Sequence, residues 1–217
     1  MTKITSLQEH PRSVGGITLA SGLLALLSYS LLFAAIKGNW AILAQPALLF
    51  EYLTPEQATY FRWSMVTDIW EYYLLLVPAM VLLYEKMNTA WRKIYVLAGV
   101  AYVLFGSLGA AILGAAGTNC LRAFEATTDV VVRQSTQSDF LLLYSVVNDG
   151  IWNLLVMSLF GLFCVEAAQV LKPESRPLYY FTLVLATACF MCSIGNTFEW
   201  RTLAEIVLNI CLILGPI

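Results

Sequence analysis

The chain has 217 residues, of which 59% are hydrophobic and 12% charged, with a mean hydropathy of +0.74. Soluble globular proteins carry about 25% charged residues, so the composition excludes a water-surrounded fold and reads as a polytopic membrane protein in contact with lipid. Twelve Lys and Arg stand against fourteen Asp and Glu; no basic face exists to neutralise a phosphate backbone, which excludes nucleic acid as a partner.

Apolar runs of about 18 or more residues are long enough to cross a hydrocarbon core about 30 Å thick. They fall at 15–37, 63–85, 94–116, 140–171 and 178–197, with a shorter sixth from 201 to the C-terminus. The sixth is about 16 residues, roughly 24 Å of helix. The sequence thus predicts an all-α bundle in one integral membrane domain over 1–217: six transmembrane helices, or five and a short inserted tail. The first run has full spanning length, which reads as a retained helix and not as a cleaved signal peptide.

After the first span, residues 39–53 (Trp40, Ile42, Leu43, Leu48, Leu49, Phe50) read as an outer interfacial segment, half buried at headgroup level. Thr54, Pro55 and Gln57 form a helix start: Thr as N-cap, Pro at the first position, Gln closing a capping box. The second spanning helix is therefore expected to begin outside the membrane near Pro55, and Pro78 to kink it. The third span carries Ala98, Gly106, Ala110 and Gly114 at multiples of four, a small-residue stripe that lets helices approach closely and predicts a central position. Residues 118–139 read as an outer loop with one amphipathic stretch and a β-branched run, Thr127, Thr128 and Val130 to Val132.

Orientation follows from the basic residues. Lys3, Arg12, Lys86, Arg92, Lys93, Lys172 and Arg176 fall on the side of the N-terminus, against Lys37, Arg62, Arg122, Arg133 and Arg201 on the other. The crowding in the short second and fourth loops predicts both termini inside, in a bacterial inner membrane.

Four acids sit in the runs: Asp68 and Glu71 on the second helix, Asp149 on the fourth and Glu205 on the sixth. Intramembrane acids are costly and mark candidate functional sites. With this topology all four lie in the outer half. A short pattern aligns them: Phe61-Arg62-Trp63 precedes Asp68 by five residues, Phe198-Glu199-Trp200 precedes Glu205 by five, and Tyr144 precedes Asp149 by five. Asp68 and Glu71 share a face at i, i+3, as do Asp149 and Asn153 at i, i+4, with Asn148 alongside. Two carboxylates so close in a dry place do not both ionise cheaply, so one of the pair is expected to hold a proton. Trp70, Tyr72, Tyr73 and Trp152 line a cavity or serve as bundle core. Arg201, Glu205 and Asn209 read as a stripe with an interfacial ion pair; Ser193 and Asn196 read as interhelical hydrogen bonds.

His10 is the sole histidine, in the polar N-terminal tail, so no bis-His haem, His-rich metal site or Ser-His relay is available, and no metal or cofactor is expected. Cys120, Cys164, Cys189, Cys192 and Cys211 include one C-x-x-C with no second pair, and read as small packed hydrophobes.

The layout of an outer loop after the first span, an acid-bearing second span and the turn Lys172-Pro173-Glu174-Ser175-Arg176-Pro177 resembles an uncharacterised family of small bacterial six-helix membrane proteins, over about residues 15–197; the resemblance implies no activity. Trp70-Glu71 and Asp149-Gly150 are similar to the two acidic motifs of the integral-membrane terpene cyclases, which would make Glu71 and Asp149 an acid/base pair. That family has seven spans and carries its Asp-Gly motif in the last helix, whereas Asp149 is in the fourth. The leading reading is a non-enzymatic membrane protein with an outward-opening carboxylate-lined pocket for a small cationic or amphiphilic ligand, with transport as one use. Its ligand-binding residues are Asp68, Trp70, Glu71, Asn148, Asp149, Trp152, Asn153 and Glu205. One alternative is an acid-initiated isomerase or cyclase of a lipophilic substrate; another is an accessory subunit of a larger membrane complex.

Overall fold

The computed structural model describes residues 11–200 and Val207. Among the described residues every regular element is helical. The helices are α1 (Pro11–Ala35), the short α2 (Ala41–Ala44), α3 (Pro55–Lys86), α4 (Arg92–Ala126), α5 (Val130–Leu171) and α6 (Arg176–Thr197). A 3-10 turn covers Pro46–Glu51. Five of these helices are long and apolar enough to cross a membrane. The expected sixth helix, with Arg201, Glu205, Asn209 and Cys211, lies outside the described residues, as does His10.

Two helices outrun any bilayer. Helices α4 and α5 have 35 and 42 residues, about 52 and 63 Å of helix against a hydrocarbon core of about 30 Å. The expected outer loop at 118–139 is therefore a correction. It is helix on both sides of a short turn, with α4 running to Ala126 and α5 starting at Val130. Asp129 makes the turn by capping α5, its side chain accepting from the Val131 and Val132 amides at 2.8 and 3.2 Å. The β-branched run that obscured this is weak in helix propensity, and the cap together with tertiary packing overrides it.

The segment 39–53 folds onto the helical hairpin. Ile42, Leu49 and Phe50 are buried in one core with Phe61, Met65, Leu121, Phe124 and Phe140. Phe50 meets Phe124 and Phe140 edge-on at centroid distances of 4.6 and 5.4 Å, and Phe61 meets Phe140 at 5.9 Å. Such pairs add about 0.5–1.5 kcal/mol each beyond burial. The chain enters this segment through Lys37 and Gly38, at φ of 50° and 73°, and the Gly38 amide bonds back to the Phe33 carbonyl at 2.9 Å. Glycine makes that left-handed turn at the helix end cheap.

Helix α3 begins at Pro55 as expected, with Thr54 extended before it, but the capping box is not closed. The Gln57 amide donates to the Ala35 carbonyl at 3.1 Å. The last carbonyls of α1 have no intrahelical donor, and once buried they need one from elsewhere. Against α3, α1 presents Val14, Ser21, Ser28 and Ala35, all buried and seven residues apart, a narrow seam whose Ser and Ala members are small enough for a close approach.

Helix α4 uses its small-residue stripe as predicted. Ala98, Gly106, Ala110 and Gly114 are buried, and a Cβ on Gly106 would lie 1.9 Å from the Tyr73 ring. Only this face is central, because Leu97, Leu104 and Leu108 turn outward on the opposite side. Helices α5 and α6 meet through Gly161, tight against the Ala186 carbonyl, and through the Ser158 and Ser193 hydroxyls at 2.6 Å. Cys164, Cys189 and Cys192 are buried beside Leu185 and Ala186, and Lys86 pairs with Glu174 across the far end of the bundle at 2.6 Å.

Phe140 meets Phe50, Phe61 and Tyr144 at once in this aromatic core. Phe140→Ala should cost about 3–5 kcal/mol of stability in detergent unfolding, whereas Leu104→Ala on the outward face of α4 should cost less than about 0.5 kcal/mol.

Candidate functional site

Three stretches of the spanning helices are wound as π-helix: Ile69–Leu74 in α3, Leu113–Gly117 in α4 and Val146–Val156 in α5. In α3 the cause is local. Pro78 has no amide hydrogen for the Leu74 carbonyl and its ring crowds that oxygen, so the helix widens and turns before resuming at Val77. Widened turns depart from the i→i+4 ladder, and inside a membrane other protein groups must satisfy carbonyls that leave it. Neighbouring helices donate to four carbonyls of these stretches. Ser21 reaches the Glu71 carbonyl at 2.5 Å and Tyr102 the Tyr72 carbonyl at 2.8 Å. Ser193 reaches the Leu154 carbonyl at 3.0 Å, and Asn196 the Asp149 carbonyl at 2.7 Å. Ser193 and Asn196 thus make the interhelical bonds expected of them.

The π turn of α3 carries the acid pair inward. Glu71 is 1% exposed, and the one side chain that meets its carboxyl by hydrogen bond is a second acid, Asp68. Asp68, half-buried one turn earlier, accepts the Ser28 hydroxyl of α1 at 2.5 Å, and that hydroxyl also lies 3.1 Å from the Ser64 carbonyl. The phenol oxygens of Tyr72 and Tyr29 are 3.1 Å apart beside the pair. Trp70 is a correction: at 51% exposure it belongs to an outward stripe with Tyr60, Trp63, Leu74, Val77 and Val81. Adjacent residues on a helix project in different directions, so a buried Glu71 turns its neighbour toward lipid.

The fourth-helix residues do not join this pair. Asp149 is exposed, and its oxygens are met by Ser145 at 3.0 Å and Asn148 at 2.8 Å, both on its own helix. Asn153 is buried in α5. Trp152 serves packing: its indole N–H donates to the Gly106 carbonyl at 3.3 Å, and its ring closes over Gly109. Glu205 lies outside the described residues. Nor does the aligned aromatic pattern describe equivalent places, because Phe61 is 5% and Phe198 62% exposed. The single carboxylate-lined pocket joining Asp68, Glu71, Asn148 and Asp149 is therefore not assembled; what is assembled is Asp68 and Glu71 with Ser21, Ser28, Tyr29, Tyr72 and Tyr102. Among the described residues no three His, Cys, Asp or Glu side chains converge as metal ligands.

Sequence reasoning passed over Ser21, Ser28 and Tyr102, although the seven-residue spacing of the two serines placed them on one face. It also passed over Glu166, buried in α5 with one unpartnered oxygen, because its apolar run hid it. No family model, curated protein or solved structure matches the chain. Glu71 and Asp149, the pair that the cyclase resemblance would use, occupy unlike environments, one sealed and one open.

The donors to the π turn are separable from the acids. Ser21→Ala and Tyr102→Phe should each lower stability by about 0.5–1.5 kcal/mol in denaturant titration, while Ser30→Ala, whose hydroxyl bonds only within α1, should be neutral.

Proposed function

We propose that the protein is a six-helix bacterial inner-membrane protein, both termini cytoplasmic, that binds a small cationic or amphiphilic ligand at Asp68 and Glu71 for transport. One observation carries the reading: a fully buried carboxyl group within a spanning helix whose side-chain partner is a second acid, Asp68, with no basic group paired to either among the described residues. Burying such a group is expensive unless its charge is paired or removed, and such acids in membranes mark ion and substrate pathways. A positive ligand supplies the missing partner. Asp68, three residues away on the same helix, adds a second acceptor, and the rings of Tyr29 and Tyr72 offer π faces to a cation. The dense Lys and Arg of the two short loops support the orientation.

A second reading, an accessory subunit of a larger complex, draws support from the tip of the α4–α5 hairpin. Val130, Val131 and Val132 are exposed there, Val131 to 74%, on a projection longer than the membrane requires. Three adjacent apolar side chains in that position suit contact with another subunit.

Glu71→Gln keeps size and hydrogen bonding while removing the charge. In the binding reading it should weaken affinity for the cation the site takes, read in liposomes with protons, sodium and tetramethylammonium in turn, at least about tenfold, close to 1.4 kcal/mol. In the subunit reading affinity should not change. A cysteine placed between Lys86 and Lys93 should react only with reagents entering from the cytoplasmic side; labelling from outside would invert the proposed topology.

A further inference from the structure

We infer that the cation taken at this site is a proton, received by Asp68 and passed to Glu71. The inference rests on the cation-binding reading and narrows it.

Space is the first argument. Glu71 is sealed, and its neighbour Tyr73 packs so closely on Gly106 that a single added carbon would overlap the ring. Two surface hollows among the described residues lie away from the pair. One, of about 380 Å³, is an apolar groove on α6 along Leu183, Thr187 and Met191; the other is at the start of α3, around Pro55 and Tyr60. Organic ligands need a pocket of roughly 300 Å³ or more. Hard metal ions need about six oxygen ligands, and here the Ser21 and Tyr102 hydroxyls are engaged with backbone carbonyls. A proton needs neither room nor a shell.

The second argument is the asymmetry of the pair. Asp68 is half-buried and held by Ser28, whereas Glu71 is enclosed and meets only Asp68, the two carboxyl groups lying within hydrogen-bond reach of each other. At i, i+3 their Cβ atoms are about 5–6 Å apart. The other titratable groups in reach are phenols: Tyr72 and Tyr73 on α3, Tyr29 on α1 and Tyr102 on α4. Among the described residues no Lys, Arg or His forms an ion pair with either acid. Transfer is therefore between two carboxyl groups and needs no redox partner. A hydronium ion protonates Asp68, leaving water. The Asp68 O–H bond then breaks as a Glu71 O–H bond forms, and Asp68 returns to the carboxylate held by Ser28. The pair gains one positive charge.

Infrared difference spectroscopy on the whole protein in liposomes tests this, using pH jumps in H2O and D2O. The expected result is a protonated-carboxyl C=O band that follows bulk pH, shifts in D2O and is lost in Glu71→Gln. The band should be insensitive to saturating sodium or tetramethylammonium. In Asp68→Asn it should persist but equilibrate at least about tenfold more slowly, because the positioned acid that relays the proton is gone. Isotopic labelling of glutamate carboxyls assigns the band without any variant, and Glu71→Asp should move it and not delete it. Absence of the band, together with Glu71-dependent binding of sodium or tetramethylammonium, overturns the proton inference and leaves the cation site standing. Absence of both the band and any cation binding overturns both.

Discussion

Inside a bilayer a backbone carbonyl has no water to bond, and the widened turns of α3 and α5 make that demand acute where the acids lie. The answer is the same in both helices. A neighbour supplies a hydroxyl or amide: Ser21 and Tyr102 for α3, Ser193 and Asn196 for α5. These bonds lock α1 and α4 to the π turn of α3, and α6 to that of α5. They also set which way Glu71 faces, since a turn wound differently would carry its side chain to another sector of the helix.

Close packing completes what the hydrogen bonds begin. Tyr73 and Trp152 both converge on Gly106, one by its ring and one by its indole N–H. Glycine is required at 106 because the Tyr73 ring occupies the space of its missing Cβ, and at 109 because the Trp152 indole does. The acid-bearing turn of α3 is thus pressed against α4, which is why Glu71 is dry while Asp68, one turn nearer the start of the helix, keeps part of its surface open. The aromatic core around Phe140 does comparable work, joining the hairpin to the 39–53 segment and the start of α3.

The chemistry of the pair follows from this enclosure. Two carboxyl groups that meet only each other and hydroxyls are a standing cost when charged, and retaining them within a spanning helix fits the proposed uptake and release of positive charge. The sealed surroundings favour the smallest cation, and the Ser28-held Asp68 supplies the intermediate acceptor. The exposed Asp149 is met instead by Ser145 and Asn148 of its own helix.

The sequence by itself determined five helices long and apolar enough to cross a membrane, because a hydrocarbon core demands long apolar runs whatever their neighbours. It determined the start of α3 at Pro55 and the small stripe of α4, both local or strictly periodic signals. It also singled out Asp68 and Glu71, since an acid in an apolar run is visible without a fold. Tertiary structure alone decided which acids are buried together. Asp149 and Glu71 look alike in their runs, yet burial depends on which sector of the helix meets a neighbour, and the π turns alter that sector in ways no 3.6-residue count anticipates. The helical course of 118–139 was hidden for a related reason: β-branched residues disfavour helix locally, and only the Asp129 cap and the packing of Phe124 and Phe140 against Phe50 outweigh that preference. The Gln57 side chain was read as a capping box because its competing partner, the Ala35 carbonyl, is 22 residues away in the chain and becomes its neighbour only after α1 and α3 have packed.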